Sequence, residues 1–269
     1  MITRDRIGDR SQRHQGEIVD KLLSGKVALV TGGSRGLGVA IATALADQGA
    51  DVAISYVASE DKAAAVVAEL KSKGVRAVAI KSDQGDLTAA EPLIAGVVDQ
   101  LGKIDILVNN AAIAIQGRTI DHPGYDAAAM DRQWAVNVGG VIANIRAAAL
   151  RLPEGGRIIS IGSGLASRTG WPGAADYAGT KAAIAGFSRG VARDLGPRNI
   201  TVNVVQAGIM ATDMTTSLVA EVPPALLNLS AIARLAKVEE VAAAVAFLAT
   251  PSASYITGAV IEANGGYLA

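Results

Sequence analysis

Two residues four positions apart, Tyr177 and Lys181, have the chemistry to transfer a proton together. They lie in a segment whose pattern predicts a helix, so their side chains share one helix face. An ammonium group beside a phenol favours the phenolate, which predicts a pKa for Tyr177 below its usual value of about 10. Such a tyrosine is suited to act as a general acid or base. The spacing also fits an ordinary pair on a helix surface, so it needs support from elsewhere in the chain.

The segment 31–38, with the sequence TGGSRGLG, has the composition of a phosphate-binding turn. An apolar run before it predicts a buried strand, and an apolar-periodic segment after it predicts a helix. Glycines let the backbone approach a pyrophosphate, and the start of a helix offers free N–H groups and a positive dipole. Taken alone, the glycines fit an ordinary strand-to-helix turn equally well.

Polar and glycine residues also follow the third to sixth predicted strands. They are Asp83 and Gln84, then segments 109–112, 160–163 and 206–209. Ligands of open parallel sheets bind at the carboxyl ends of the strands. Each segment by itself fits turn chemistry, but together they predict a ligand site along one edge of a sheet.

Strand-like and helix-like segments alternate along the chain from residue 26 onward, which is typical of βαβ units. The pattern predicts a single-domain α/β Rossmann fold over residues 25–269, a doubly wound, seven-stranded parallel sheet with helices on both faces. The predicted strands are 27–30, 52–56, 77–80, 104–109, 157–161, 201–205 and 259–261. The predicted helices are 36–48, 60–73, 87–101, 127–150, 176–195 and 238–249.

Composition excludes several classes of function. A net charge of +0 argues against a nucleic-acid-binding protein. The chain has no cysteine, so thiol chemistry is excluded, and its having only two histidines argues against a multi-histidine metal site. No apolar run is long enough to predict a membrane span. Residues 1–24 form a charged extension that we expect to be flexible, or to hold a short helix at 16–23. It lacks the apolar core of a secretory signal, and we expect a cytoplasmic protein.

The chain from residue 26 to residue 269 resembles the classical short-chain dehydrogenase/reductases. The resemblance rests on the glycine pattern in 31–38, on NNAA at 109–112, on the Tyr177/Lys181 spacing and on NGG at 264–266. Segments 246–249 and 255–258 are most similar to the 3-oxoacyl-[acyl-carrier-protein] reductase branch of that family. That branch also contains many reductases of small ketones.

The resemblance implies hydride transfer between a nicotinamide cofactor and a carbonyl or secondary alcohol, with Asn137, Ser163, Tyr177 and Lys181 as the catalytic set. Tyr177 would exchange a proton with the substrate oxygen, and Ser163 would hydrogen-bond that oxygen. Lys181 would lower the pKa of Tyr177 and hold the nicotinamide ribose, while Asn137 would hold a water linking Lys181 to solvent. Asp83 would face the adenine. The implied cofactor-binding residues are Gly32, Ser34, Arg35, Gly36, Leu37, Gly38, Asp83, Gln84, Asn110, Ala111, Tyr177, Lys181, Ala207, Gly208, Ile209 and Thr212.

Two positions depart from the family pattern. Ala112 stands where the family usually has glycine, and Ala207 stands where it usually has proline before Gly208. Neither residue carries a reacting atom. We expect small effects on cofactor affinity and no loss of activity.

The end of the second predicted strand indicates which dinucleotide binds. An acidic residue there would bind the ribose 2′-hydroxyl of NAD and repel a 2′-phosphate. This strand offers no acid before Glu60, whereas Arg35 lies in the glycine turn, where a guanidinium can bind a phosphate. With Tyr56 and Ser59 completing the pocket, the sequence predicts a preference for NADP(H). The alternative is that Glu60 turns inward and NAD(H) binds.

Residues 210–236 form a long connection that we expect to act as a substrate lid. Its apolar side chains, together with Ile113, Ile115 and Trp171, predict an apolar carbonyl substrate, although packing of the lid on the core explains them equally well. A general ketone and a 3-oxoacyl chain both remain open as substrates. A cofactor-binding regulatory protein and a relative with altered chemistry, such as a dehydratase or epimerase, are the rival functions.

The two longest predicted helices, 127–150 and 176–195, carry small residues on more than one face. Similar proteins pair these helices across a two-fold axis and use the last strand across another. The sequence therefore predicts a homotetramer.

Overall fold

The computed structural model describes residues 21–212 and 222–269. Seven parallel strands form one sheet in the order β3-β2-β1-β4-β5-β6-β7. The predicted Rossmann architecture is confirmed, and the ends of the predicted strands differ by no more than two residues. The strands are β1 (Val27–Val30), β2 (Asp51–Tyr56), β3 (Ala77–Lys81), β4 (Ile106–Asn109), β5 (Arg157–Ser163), β6 (Thr201–Ala207) and β7 (Val260–Ala263).

Helices cover both faces of the sheet. Strand β1 is buried at all four positions, with Ala28 and Val30 in one core layer and Val27 and Leu29 in the other, as the two-residue period of a strand requires. Helices α1, α2 and α8 pack on the first layer, and α3, α5 and α6 on the second. The helices are α1 (Gly36–Asp47), α2 (Glu60–Ser72), α3 (Ala90–Leu101), α4 (Ala127–Trp134), α5 (Gly140–Ala149), α6 (Ala175–Leu195), α7 (Pro224–Leu227) and α8 (Val238–Ala249).

Strand β1 lies between β2 and β4, and the strand order reverses at this point. The connections leaving β1 and β4 therefore diverge to opposite faces and open a crevice at the carboxyl edge. The predicted glycine turn and segment 109–112 both border this crevice, because Val30 pairs with Val108.

The long helix predicted at 127–150 is not regular. One π-helical turn, Ala135–Gly139, separates α4 from α5, and the Gly140 N–H donates to the Ala135 carbonyl. The predicted helix at 87–101 likewise begins with a 3₁₀ turn, Leu87–Ala89, before α3. Such irregular turns depend on tertiary contacts, which hydrophobic periodicity does not report.

The boundary between extension and domain lies earlier than predicted. Leu23 is 1% exposed and belongs to the core, and its N–H donates to the Gln48 carbonyl. The rest of the predicted extension, 1–20, lies outside the described residues. So do residues 213–221 of the predicted lid. Over the described ranges, no helix is long and apolar enough to cross a membrane.

Candidate active site

A cavity of about 1140 Å³ opens at the carboxyl edge of the sheet, over the switch point between β1 and β4. It is lined by the glycine turn, by the ends of β2 to β6 and by parts of the predicted lid. Every cofactor-binding residue predicted from the sequence lines it, as do Ser163 and Ala112. Of the four predicted catalytic residues, only Asn137 lies outside the lining. The structure thus brings together residues spread over 180 positions of sequence, from Gly32 to Thr212.

The glycine turn has the backbone freedom and the space that a phosphate needs. Gly36 has a φ of 52°, in the left-handed region that favours glycine. A side chain at Gly38 would collide with the Gly32 carbonyl and lie 2.8 Å from Asn110 Nδ2. The turn leads directly into α1, so its N–H groups and the helix dipole face the cavity.

Thr31 ties this turn to the neighbouring strand end. Its hydroxyl oxygen accepts hydrogen bonds from the backbone N–H groups of Asn110 and Ala111, both at 3.0 Å. In return, Asn110 Nδ2 donates to the Thr31 carbonyl at 2.9 Å. The side chain of Asn110 thus fixes the floor of the cavity.

At one end of the cavity, Arg35 is exposed and forms no ion pair with any described residue. Tyr56 and Ser59 line the same end, and the Ser59 hydroxyl makes no capping bond to α2. Glu60 lies in the first turn of α2, is exposed and does not line the cavity. The arrangement leaves an unopposed guanidinium where a 2′-phosphate would be recognised.

Asp83 and Gln84 follow β3 at the neighbouring part of the edge. Asp83 accepts a hydrogen bond from the Gly85 N–H and pairs with Arg132 at 2.6 Å, and both contacts lower the pKa of its carboxyl. Gln84 donates to the carbonyls of Ala111 and Val136, so its amide serves to hold the end of β4 against the π-helical turn. Sequence reasoning missed Arg132, which is distant from Asp83 along the chain.

Tyr177 and Lys181 lie on α6, against the opposite wall. Lys181 is 5% exposed, and its Nζ donates to the Ile161 carbonyl at 2.9 Å. The same Nζ lies 5.8 Å from the centroid of the Tyr177 ring. Ser163 ends β5 and lines the cavity together with Tyr177. Ser163, Tyr177 and Lys181 thus form one group on the cavity wall.

The prediction of a pKa below 10 for Tyr177 is wrong for this structure. Burial raises the pKa of Tyr177 from 10.0 to about 12, and the hydrogen bond with Ser163 lowers it only in part. Burial also lowers the pKa of Lys181, from 10.5 to about 8. The sequence shows that the two side chains share a face but not how much water reaches them. At neutral pH Tyr177 therefore holds its proton and is poised to donate it.

Asn137 lies in the π-helical turn, where one irregular turn interrupts a long helix, as often occurs at functional sites. Its Oδ1 accepts from the Ile113 N–H and its Nδ2 donates to the Ile113 carbonyl, both at 2.9 Å. Nδ2 also lies 3.3 Å from Thr180 Oγ1, whose hydroxyl donates to the Tyr177 carbonyl. The amide thus connects the segment after β4 with the catalytic part of α6. Its predicted role in holding a water remains a prediction.

The remaining part of the cavity is lined by uncharged residues. Among the described lining residues, the charged ones are Arg35, Asp83, Arg132 and Lys181, and all four have been placed around the predicted cofactor. Ile113 and Trp171 line the cavity, as the sequence suggested, but Ile115 does not. Sequence reasoning did not predict a place in the lining for Gly164, Leu165, Asn264 and Tyr267, which come from widely separated segments.

Comparison with known proteins agrees with this geometry. Residues 32–268 match a family model described as Enoyl-(Acyl carrier protein) reductase. The chain is 39% identical over 247 residues to a 3-oxoacyl-[acyl-carrier-protein] reductase of Staphylococcus aureus (strain Mu50), a match covering 90% of this chain and 97% of the relative.

Solved structures give the same result. A short chain dehydrogenase from Burkholderia cenocepacia J2315 in complex with NADP is 45% identical, with a TM-score of 0.87, and the match covers 92% of this chain and 100% of that one. A blue fluorescent protein from a metagenomic library in complex with NADPH is 42% identical, with the same TM-score and the same coverage. The chain belongs to the short-chain dehydrogenase/reductase family, in its 3-oxoacyl-[acyl-carrier-protein] reductase-like branch.

Proposed function

We propose that the protein is an NADPH-dependent reductase of ketones. The observation that carries the proposal is the group of Ser163, Tyr177 and Lys181 on one wall of a cavity whose far end holds the unopposed Arg35. The similarity to a 3-oxoacyl reductase and to two proteins solved in complex with NADP and NADPH supports it.

The residues present fit a dinucleotide phosphate. Gly36 and Gly38 leave a cradle that side chains would fill, the start of α1 supplies N–H groups, and Arg35 supplies a cation for the 2′-phosphate. Asp83 would lie by the adenine, and Lys181 would reach the nicotinamide ribose. When bound, the nicotinamide supplies the hydride. We infer that Gly208, Ile209 and Thr212 border its ring.

In this proposal Tyr177 donates its proton to the carbonyl oxygen as charge develops there. The upward shift of its pKa by burial keeps it protonated until that moment. Ser163 donates a hydrogen bond to the same oxygen and stabilises its negative charge. The nearby Lys181 ammonium favours the phenolate that Tyr177 becomes, and the buried wall excludes water from the reacting atoms.

The substrate that fits is uncharged and apolar beside its carbonyl group, because the described residues of that part of the cavity carry no charge. A compact ketone and a 3-oxoacyl chain both meet this requirement. The matching family model is named for enoyl reduction, a second candidate activity in which hydride reaches a carbon–carbon double bond. The Ser163 and Tyr177 hydroxyls, placed to hold one oxygen, favour carbonyl reduction.

The assay follows loss of NADPH absorbance with simple ketones, a 3-oxoacyl thioester and a 2-enoyl thioester. We expect turnover of the ketones or the 3-oxoacyl thioester, and a loss of at least about 10² in kcat for Tyr177→Phe, the range supplied by general acid catalysis. NADPH binding by Tyr177→Phe, measured by calorimetry, should be unchanged. Turnover of the enoyl thioester alone would contradict carbonyl reduction. NADPH binding without turnover of any compound would favour the regulatory protein.

We also propose that the protein assembles as a homotetramer. On α6, Gly186 and Gly190 lie four residues apart on an exposed face. Outside the adjacent backbone of α6, no described atom lies within 4 Å of where their side chains would start. Strand β7 is an edge strand, and Phe247 and Tyr255 are exposed near it. Small residues on a helix and an open sheet edge are surfaces that a second copy of the chain can cover.

A further inference from the structure

The segment that follows β7 turns back toward the cavity and is fixed there. Asn264 Oδ1 accepts hydrogen bonds from the N–H groups of Gly266 and Tyr267, at 3.1 and 3.2 Å. Tyr267 bridges Ser230 in an antiparallel pair, and the Leu268 N–H donates to the Leu229 carbonyl at 2.7 Å. These contacts anchor Tyr267 to the described part of the lid, and the residue is 9% exposed.

The Tyr267 ring fills the space beside the loop that joins Ser163 to α6. Its hydroxyl oxygen accepts a hydrogen bond from the Gly170 N–H at 2.8 Å, and its ring meets the Trp171 ring edge to face, with centroids 6.3 Å apart. A side chain at Gly164 would lie 3.0 Å from the ring, and one at Gly170 would collide with the hydroxyl. The ring therefore leaves no room for another group at this position.

This ring also belongs to the surroundings of the reaction. Leu165, Ala178 and Tyr267 form a small buried cluster, separate from the two layers of the sheet, and Tyr177 and Trp171 pack against it. Tyr267, Trp171 and Leu165 also line the cavity. The cluster thus forms an apolar wall immediately beside the proton donor.

We propose that Tyr267 limits the size of the substrate, so that it is a specificity-determining residue for the reaction proposed above. The ring closes the cavity beyond Trp171 and sets the length of the apolar group that fits beside the carbonyl. The hydroxyl has a separate, positioning role, because its bond to Gly170 holds the loop between Ser163 and Tyr177. The proposal rests on the proposed ketone reduction.

A series of 2-alkanones of increasing length separates the two roles. Tyr267→Ala removes the ring, and Tyr267→Phe removes only the hydroxyl. For Tyr267→Ala, we expect the ratio of kcat/KM for the longest ketone to that for the shortest to rise at least about tenfold, mainly through a lower KM for the longest. For Tyr267→Phe, we expect the same length limit as wild type with a lower kcat for every ketone. The KM for NADPH should be unchanged in both variants.

Ile120→Ala is the matched control, since Ile120 is an exposed hydrophobic residue that does not line the cavity. A length profile of Tyr267→Ala that equals that of Ile120→Ala would overturn the proposal. If Tyr267→Ala fails to fold, Tyr267→Leu replaces it with the same expectation. If wild type reduces no ketone, the proposed function fails. In that case, the dissociation constants of the same ketones from the complex of protein and oxidised cofactor test the role of Tyr267 without turnover. If these constants depend on ketone length in the same way in Tyr267→Ala and in wild type, the proposal for Tyr267 is overturned.

Discussion

Lys181 carries an ammonium group at a position with almost no access to water. Its pKa in the folded protein is about 8, below the 10.5 of an exposed lysine, because burial disfavours the charge. Below about pH 8 the folded state bears the whole cost of that buried charge. As pH rises from about 8 to 10.5, the folded state loses the proton before the unfolded state does, so stability increases. The proposed proton donation by Tyr177 therefore favours a charged Lys181, whereas the stability of the folded state favours a neutral Lys181.

The lowered pKa of Lys181 predicts how the free energy of unfolding depends on pH. Between pH 7.5 and pH 9.5 the free energy of unfolding should rise by on the order of 1–2 kcal/mol more in wild type than in Lys181→Met, which has no proton to lose. Urea unfolding at the two pH values measures the difference. The window stays below the titration of Tyr177, whose raised pKa would lower stability only above pH 10. The same pH dependence in both proteins would mean that Lys181 is hydrated in the folded state.

Arg35 should determine which cofactor binds. Arg35→Ala removes the cation proposed to bind the 2′-phosphate, so we expect the KM for NADPH to rise at least about tenfold and the KM for NADH to change by less than twofold. Steady-state kinetics with both cofactors measures this. Lys71→Ala, which removes an exposed cation of α2 away from the cavity, is the control. An equal loss with both cofactors would assign Arg35 a general role in binding rather than recognition of the phosphate.

The sequence was sufficient to predict that Ser163, Tyr177 and Lys181 lie at one site, because their spacing is local or follows a predicted strand end. It was not sufficient to predict their protonation, because burial of Tyr177 and Lys181 depends on the sheet beneath them. It also missed Tyr267, whose partner Gly170 lies 97 residues away. No local pattern marks a contact of that range.

At the scale of elements, the bond between Thr31 and the end of β4 holds the crevice together. Thr31→Val keeps the shape and removes the acceptor, leaving the part-buried N–H groups of Asn110 and Ala111 without it. We expect a loss of about 1–3 kcal/mol in the free energy of unfolding and weaker NADPH binding. Chemical denaturation and calorimetry measure the two effects.

Thr201→Val is the matched control for Thr31→Val. Thr201 is 3% exposed, and its hydroxyl has no hydrogen-bond partner within the described ranges. Its replacement should leave both the free energy of unfolding and NADPH binding unchanged. An equal loss of stability in both variants would show that the Thr31 hydroxyl has no special role.

Element positions were predictable where local pattern alone decides them. β1 and α8 begin and end where the sequence placed them, because each is predominantly apolar and has a polar residue at either end. The π-helical turn at Ala135–Gly139 was not predictable. Gln84 donates to the Val136 carbonyl within that turn, so its geometry depends on a residue that follows a distant strand.

At the scale of the whole molecule, the proposed tetramer gives a direct test. Light scattering coupled to size exclusion should report about four times the chain mass of 27.3 kDa. Gly186→Arg should give a smaller assembly without loss of the fold by circular dichroism, because the space around Gly186 is open within one chain. Ala68→Arg, on an exposed position of α2, should remain at the wild-type mass. A wild-type monomer at micromolar concentration would refute the tetramer.

The position of β1 between β2 and β4 has a consequence for how the chain folds. Val27 bonds to Asp105, 78 residues away, so the crevice closes only after a large loop has been brought together. A partly folded chain in which only β1, β2 and β3 have paired contains the glycine turn but lacks the segment after β4 that completes the cavity. Pairing across such a separation is slow and leaves apolar strand edges exposed meanwhile. A ligand that needs both strands binds the completed fold and not the intermediate, so by mass action NADPH should raise the yield of refolding as well as the melting temperature.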